Sequence, residues 1–371
     1  MKLAAPALLL ALVATFGVVP PASAQAQTQA QAQAQAQAQS RDWRSIFGDA
    51  QSALEKAQFA KAAQLAQQAL DLAEKTKGPE DRTVSLSLGL LAAVHQDQGQ
   101  FAQAEPLFKR ALEIDEKSRA TEPLLEATSL NNLASLYQEM GRYPAAEALY
   151  EKSLKIREAK LGTNHLTVAI SLNNLGGLYL VKGDMDKALP LFERALDIRE
   201  EQLGRNHLLV AQSLSNYAAV LSDQGKNEEA EPLYKRSLSI RTGLLGATNP
   251  ALATSLNNLA MCYMAQYKYD DAEPLLYKAM VFYKSTLGNE HPSVATVQNN
   301  LARLYAEQRK FPEAEALAKQ ALRTREKVLG PNHPAVIQSR KYLAAIYKAT
   351  GRDADAKELL SRATAAAQTT Q

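Results

Sequence analysis

The sequence predicts an all-α solenoid of about eight helical hairpins built on a 42-residue period. Three observations carry that expectation. Leu161-Gly162, Leu203-Gly204, Leu245-Gly246, Leu287-Gly288 and Leu329-Gly330 are spaced 42 residues apart without slippage. Asn131-Asn132, Asn173-Asn174, Asn257-Asn258 and Asn299-Asn300 keep the same period, and Ser215-Asn216 fills the gap at the same phase. Within a unit, apolar residues such as Leu130, Leu133, Ala134 and Tyr137 recur at i, i+3, i+4 and i+7, one face of an α-helix. A period held this long means stacked supersecondary units, each burying its apolar face against the next. Such stacks present a long surface and seldom a catalytic pocket.

The elements follow in order. Residues 1–24 read as a cleavable signal peptide: Lys2 is the positive start, Leu3 to Val19 is apolar, and Ala22-Ser23-Ala24 is the small-residue cleavage pattern. No cysteine follows the cut, which disfavours a lipid anchor, and the mature chain has no second apolar run of membrane-spanning length. The expectation is a bacterial exported protein, periplasmic or secreted. Residues 25–41 are a Gln/Ala-rich linker with no face to bury, expected to be disordered. The solenoid is expected over 42–362 and a disordered polar tail over 363–371.

Inside the solenoid each hairpin has its own punctuation. Gly141 ends the first helix of the model unit, and Tyr143-Pro144 begins the second with Pro where its missing N–H is harmless. Second helices are expected to start at Phe59, Phe101, Tyr143, Met185, Asn227, Tyr269, Phe311 and Asp353, all 42 apart. Small residues pair where two helices cross: Ala134 with Ala146, Gly176 with Ala188, Ala218 with Ala230, Ala260 with Ala272 and Ala302 with Ala314. Tyr137, Tyr179, Tyr263, Tyr305 and Tyr347 fill the space beside them. The first and last hairpins depart from the pattern, as end caps do.

Composition excludes several function classes. Hydrophobic residues make up 46% and charged residues 22%, enough apolar material for a core. The net charge of +3, one less without the leader, is no footprint for nucleic acid, which needs a clustered basic stripe. Basic and acidic residues alternate in every repeat, as on a solvated helix face. The single cysteine, Cys262, rules out an internal disulfide and any multi-thiolate metal site and reads as a small buried hydrophobe.

The pattern Asn-Asn-Leu-Ala-x-Leu-Tyr, then Gly-x-Tyr/Phe-x-x-Ala-Glu-Pro-Leu, then Leu-Gly-x-x-His-Pro resembles the tetratricopeptide repeats of kinesin light chains and their bacterial relatives, over roughly residues 42–362. The usual unit of that class has 34 residues; eight more add about two helical turns without changing the inward face. The resemblance implies a right-handed superhelix whose first helices line a concave groove. It also implies that the second Asn of each pair grips the main chain of an extended peptide. Gly89-Leu90 and Phe47-Gly48 replace the Asn pair in the early hairpins and Lys341-Tyr342 in the last, so the groove reading does not extend to either end.

Candidate binding residues are therefore Asn131, Asn132, Asn173, Asn174, Asn216, Asn257, Asn258, Asn299, Asn300 and Arg303. A carboxamide carries donor and acceptor, so a row of them can pair with main-chain groups irrespective of guest side chains. The same amides could instead tie adjacent repeats together. Variable neighbours offer selectivity: Thr128, Ile170, Gln212, Thr254 and Thr296 about one turn before, and Ser135, Gly177, Ala219, Met261 and Arg303 three residues after. His165, His207, His291 and His333 share one phase, which separates them by about the ~10 Å of a helix step, too far for one metal ion. They are expected at helix starts, shaping the turn, as is Asn249-Pro250 in the repeat lacking His. No phosphate loop, zinc-protease motif or nucleophile elbow is present. Glu105, Glu147, Glu231, Glu273 and Glu315 recur without converging on one pocket.

The expected function is a non-catalytic scaffold, with no cofactor, no metal and no nucleic acid, that holds a peptide or protein partner. One alternative is a structural subunit of an envelope assembly joined through its convex face or ends. The other is a luminal small-ligand or enzymatic site.

Overall fold

The computed structural model describes residues 42–368 apart from Ala57. The expected leader and linker lie outside the described residues. Sixteen α-helices and no strand occur among the described residues. They fall into two compact units that meet at Ile114 and Asp115, and each is taken by itself.

The first unit contains α1 (Trp43–Glu55), α2 (Phe59–Lys77), α3 (Arg82–Asp97) and the start of α4 (Phe101–Lys117). Asp42 caps α1 by accepting from Ser45 N at 2.8 Å, and Asp81 caps α3 by accepting from Thr83 N at 2.8 Å. Ala50, Ala66, Leu70, Leu88, Leu91 and Ala111 form its core. Trp43 stacks on Phe47 at 4.8 Å and donates its indole N–H to Ser87 at 2.9 Å. The half-buried indole thus finds a hydrogen-bond partner while its ring packs on apolar surface.

The second unit runs through six hairpins. Their first helices are α5 (Pro123–Glu139), α7 (Leu166–Lys182), α9 (Leu208–Asp223), α11 (Ala253–Ala265), α13 (Pro292–Glu307) and α15 (Pro334–Ala349). Their second helices are α6 (Tyr143–Leu161), α8 (Met185–Leu203), α10 (Asn227–Leu245), α12 (Tyr269–Leu287), α14 (Phe311–Leu329) and α16 (Asp353–Gln368). Every second helix begins at the residue the 42-residue spacing predicts. The last one continues to Gln368 with Ala363 buried, so helix occupies six residues assigned to a tail. The alanine-rich composition of 363–368 favours that continuation.

Each first helix packs on its own second helix and, from α7 onward, on the second helix before it. The crossing residues Ala134, Ala146, Ala188, Ala218, Ala230, Ala260, Ala272, Ala302 and Ala314 are fully buried. Gly176 has its own reason to lack a side chain: a Cβ there would lie 3.1 Å from the Phe192 ring. That ring fills the slot held by Tyr150, Tyr234 and Leu276 in neighbouring hairpins.

The histidines shape helix starts through their rings. His165, His207, His291 and His333 are N-caps whose Nδ1 atoms accept from Thr167, Leu209, Ser293 and Ala335 N–H groups at 3.1–3.2 Å. Asn249 does the same for Ala251 N at 2.9 Å, and there the helix opens with a short 3-10 turn, Pro250–Leu252. An imidazole nitrogen thus takes the place of the usual Ser or Asp oxygen.

Candidate functional site

The first helices of the second unit carry the Asn pairs at a common phase, and the two members of each pair play different parts. The first member accepts from the next hairpin. Asn174 donates from Nδ2 to Asn131 Oδ1 at 2.8 Å, Asn216 to Asn173 at 3.0 Å and Asn300 to Asn257 at 2.8 Å. Asn173 is buried and also donates to the Ala169 carbonyl at 2.9 Å. The second members Asn174, Asn216 and Asn300 stay half-buried. Each places one N–H in the rung and leaves its carbonyl and other N–H without a hydrogen bond among the described residues. Sequence reading treated rung-forming and guest-binding as rivals; the geometry lets one carboxamide do both.

The ladder breaks once in its interior. Asn258 should pair with residue 215, which is Ser, and the Ser215 hydroxyl instead meets Ser237 Oγ at 2.7 Å. Asn258 makes no hydrogen bond among the described residues, and neither does Asn132. The ladder stops at its far end for a similar reason. Tyr342 stands at the donor phase, and both its hydroxyl and Asn299 Oδ1 are buried without a partner, while Asn299 Nδ2 donates to Ser339 at 2.9 Å. Burial pushes the Tyr342 phenol well above its ordinary range.

A cleft of about 240 Å³ opens at the break, lined by parts of α9, α10, α11 and α13. Asp223, Asn227, Asn258, Met261, Cys262 and Arg303 contribute to it. Arg303 is exposed, and its guanidinium is joined to Glu307 at 2.8 Å on its own helix. Cys262 is 2% exposed, and burial raises its thiol pKa, as expected of a small buried hydrophobe. Burial also pushes the Tyr234 phenol up to about 12.

The junctions between consecutive hairpins carry a second network. Tyr179 donates to Glu147 at 2.8 Å and Tyr305 to Glu273 at 2.7 Å. Lys182 pairs with Glu147, Lys268 with Glu231 at 2.7 Å and Arg352 with Glu315 at 2.9 Å. Glu147, Glu231, Glu273 and Glu315 therefore join their hairpins to the next, and Leu189 stands at this position in the hairpin of α7 and α8. Lys235 and Lys268 pull Glu231 down to about 2. Basic groups also lie over the tyrosine rings, for example Lys310 over Tyr305 at 5.4 Å and Arg352 over Tyr347 at 4.0 Å.

Sequence reading missed a further periodic set. Arg157, Arg199 and Arg325 are at most 8% exposed and form no ion pair among the described residues. Their Nη1 groups donate to Ser171, Ser213 and Ser339 at 2.6–2.8 Å, and to the carbonyls of Thr167, Leu209 and Ala335 in the following first helix. Burial lowers all three guanidinium pKa values, although arginine stays charged. Arg241 holds the same phase with Nε buried and unpartnered, and Tyr283 replaces the next, bonding Thr254 at 2.8 Å. The 42-residue recurrence was the available signal; alternation with acidic neighbours disguised these residues as surface charge.

Among the described residues no cluster of three or more His, Cys, Asp or Glu could hold a metal ion, and no helix is long and apolar enough to cross a membrane. No curated protein matches the sequence. Among solved structures, the chain is similar to BtubC (BKLC) from P. vanneervenii, at 24% identity and a TM-score of 0.52, covering 67% of this chain and 93% of that one. It is similar to the apo quorum sensor NprR from B. thuringiensis, at 13% identity and a TM-score of 0.67, covering 93% and 94%. A Rap protein complexed with competence and sporulation factor aligns at 13% identity and a TM-score of 0.56, covering 88% and 98%. These likenesses establish the fold, and no enzyme family is indicated. The tetratricopeptide repeat family matches residues 50–117, 125–200, 167–243, 251–327 and 308–369. With helical hairpins repeating at one fixed spacing across both units, the chain belongs to the tetratricopeptide repeat family.

Proposed function

We propose that this protein is an exported, non-catalytic scaffold that holds an extended peptide segment of a partner along its first helices. The carrying observation is that the second Asn of each pair keeps unbonded polar atoms beside its rung. Those atoms repeat at one hairpin spacing and can meet main-chain N–H and C=O groups of any guest sequence. Stacked hairpins hold them in place before binding, which keeps the ordering cost of capture low. A relative of the same fold was solved with a bound factor, which supports the use of such a stack for capture.

The test uses a library of fluorescent decapeptides and the mature protein. Asn258→Ala should weaken capture by about tenfold, about 1.4 kcal/mol, without shifting thermal melting. Capture that survives Asn258→Ala together with Asn132→Ala unchanged would remove the amides from the binding role. A second reading, assembly through the second helices, has its own support in exposed Leu244, Tyr277, Val281, Leu287 and Val328. Charged substitutions at Val281 and Val328 would then abolish self-association or complex formation measured by sedimentation, and the Asn changes would not.

A further inference from the structure

The geometry points to a subsite at the ladder's break that receives a basic side chain of the guest, a lysine or an arginine. This rests on the capture reading above and adds the chemistry that one position of the guest must carry. The acceptors come first. Asn227 and Ser222 line the cleft, and Asn227 Oδ1 and Ser222 Oγ are buried atoms without a hydrogen-bond partner among the described residues. The Asn227 amide nitrogen is turned the other way, donating to the Gly225 carbonyl at 3.3 Å, so its oxygen is the atom left over. Ser222 lies beside Tyr234 and Cys262 without a well-directed bond to either. A buried acceptor without a donor costs about 1–3 kcal/mol, and Asn227 Oδ1 is such an acceptor beside the cleft, so a small side-chain shift that exposed it would be offset by an N–H from a guest.

Charge points the same way. Asp223 at the cleft makes no hydrogen bond or ion pair among the described residues. Arg303, the cation across from it, is already joined to Glu307 at 2.8 Å. The unanswered charge is therefore negative. A lysine brings three N–H donors and an arginine five, with no acceptor to conflict with those present. A carboxylate guest would bring only acceptors.

Size and lining fit a single long side chain. The cleft, about 240 Å³, is smaller than the roughly 300–1,000 Å³ of sites for whole small molecules. Ala219, Met261 and Ala265 line it and offer an apolar bed for a methylene stem whose charged head reaches the polar end. Asn258, free of any rung, stands at the same cleft to hold the adjoining main chain.

The experiment is a positional-scanning library of fluorescent decapeptides with each position fixed in turn as Lys, Arg, Gln, Leu or Glu. Wild-type protein should favour Lys or Arg over Gln by about tenfold at one position. Asp223→Asn should reduce that preference to less than about threefold, and Asp223→Lys should turn it toward Glu, a gain that only a folded protein can show. Asn258→Ala should lower capture of all members by a similar factor and leave the preference intact. Captured peptides with no basic preference, or a preference unmoved by both Asp223 changes, overturn the subsite alone. Capture of no peptide by the wild type overturns the groove reading and the subsite with it.

Discussion

Hairpins built on α5 to α10 and those built on α11 to α14 obey different local rules within the same unit. In the first group the rungs Asn174–Asn131 and Asn216–Asn173 are intact, and the turns carry Gly141, Gly183 and Gly225 at positive φ. In the second group Ser215 removes the rung to Asn258 while the rung Asn300–Asn257 is kept, and Tyr267 and Arg309 occupy the glycine position at φ 61°. Tyr283 stands where the buried arginines recur, and α11 opens through a 3-10 turn. A left-handed conformation costs a non-glycine residue roughly 1–2 kcal/mol. The lost rung and the two left-handed side chains each cost stability, and the lost rung lies at the cleft, where Asn258 stands unbonded.

The largest expected effect tests the intact side. Asn216→Ala leaves the buried Asn173 oxygen without a donor and should lower stability by about 1–3 kcal/mol in urea unfolding. Asn258→Ala breaks no rung and should stay within about 0.5 kcal/mol of wild type. Equal losses would erase the distinction between the two groups. Next, Tyr267→Gly should gain about 1 kcal/mol by relieving the left-handed backbone, and Arg309→Gly a similar amount. Ser215→Asn should repair the rung and add about 0.5–1.5 kcal/mol, and peptide capture should stay close to wild type because Asn258 keeps its carbonyl and second N–H unbonded.

The smallest effect concerns the ion pair that spans the junction where the rung is missing. Glu231 accepts from Lys235 at 2.6 Å and Lys268 at 2.7 Å, and these partners depress its pKa to about 2. A depressed carboxylate stabilises the fold above its ordinary range near 4 and loses that contribution as pH falls through about 2. Glu231→Gln should therefore lower stability by about 0.2–1 kcal/mol at pH 7. The gap to wild type should close when melting is followed from pH 5 to pH 2.

Helix starts were legible because one residue marks each of them: Tyr143, Met185 and Phe311 open second helices where the spacing puts them. The crossing alanines were legible for a similar reason, since a methyl at fixed phase has few other uses. The amides were legible only by position. Sequence places Asn173 and Asn174 side by side, but a hydrogen bond between residues 43 apart depends on which way each side chain leaves its helix. The unpartnered acceptors Asn227 Oδ1 and Ser222 Oγ were invisible, because a missing partner is a property of packing. Arg157, Arg199 and Arg325 had the period but not the burial, which comes from the following first helix closing over them.

Every rung runs the same way, from an amide N–H in the later hairpin to a carbonyl in the earlier one. The connection between α7 and α5 is thus chemically interchangeable with that between α9 and α7. Excision of one 42-residue segment from this stretch would bring Asn216 opposite Asn131 and rebuild the bond that was cut. Lengthening or shortening the gene by whole units within this stretch would change the reach of its product while keeping the rung at each new junction.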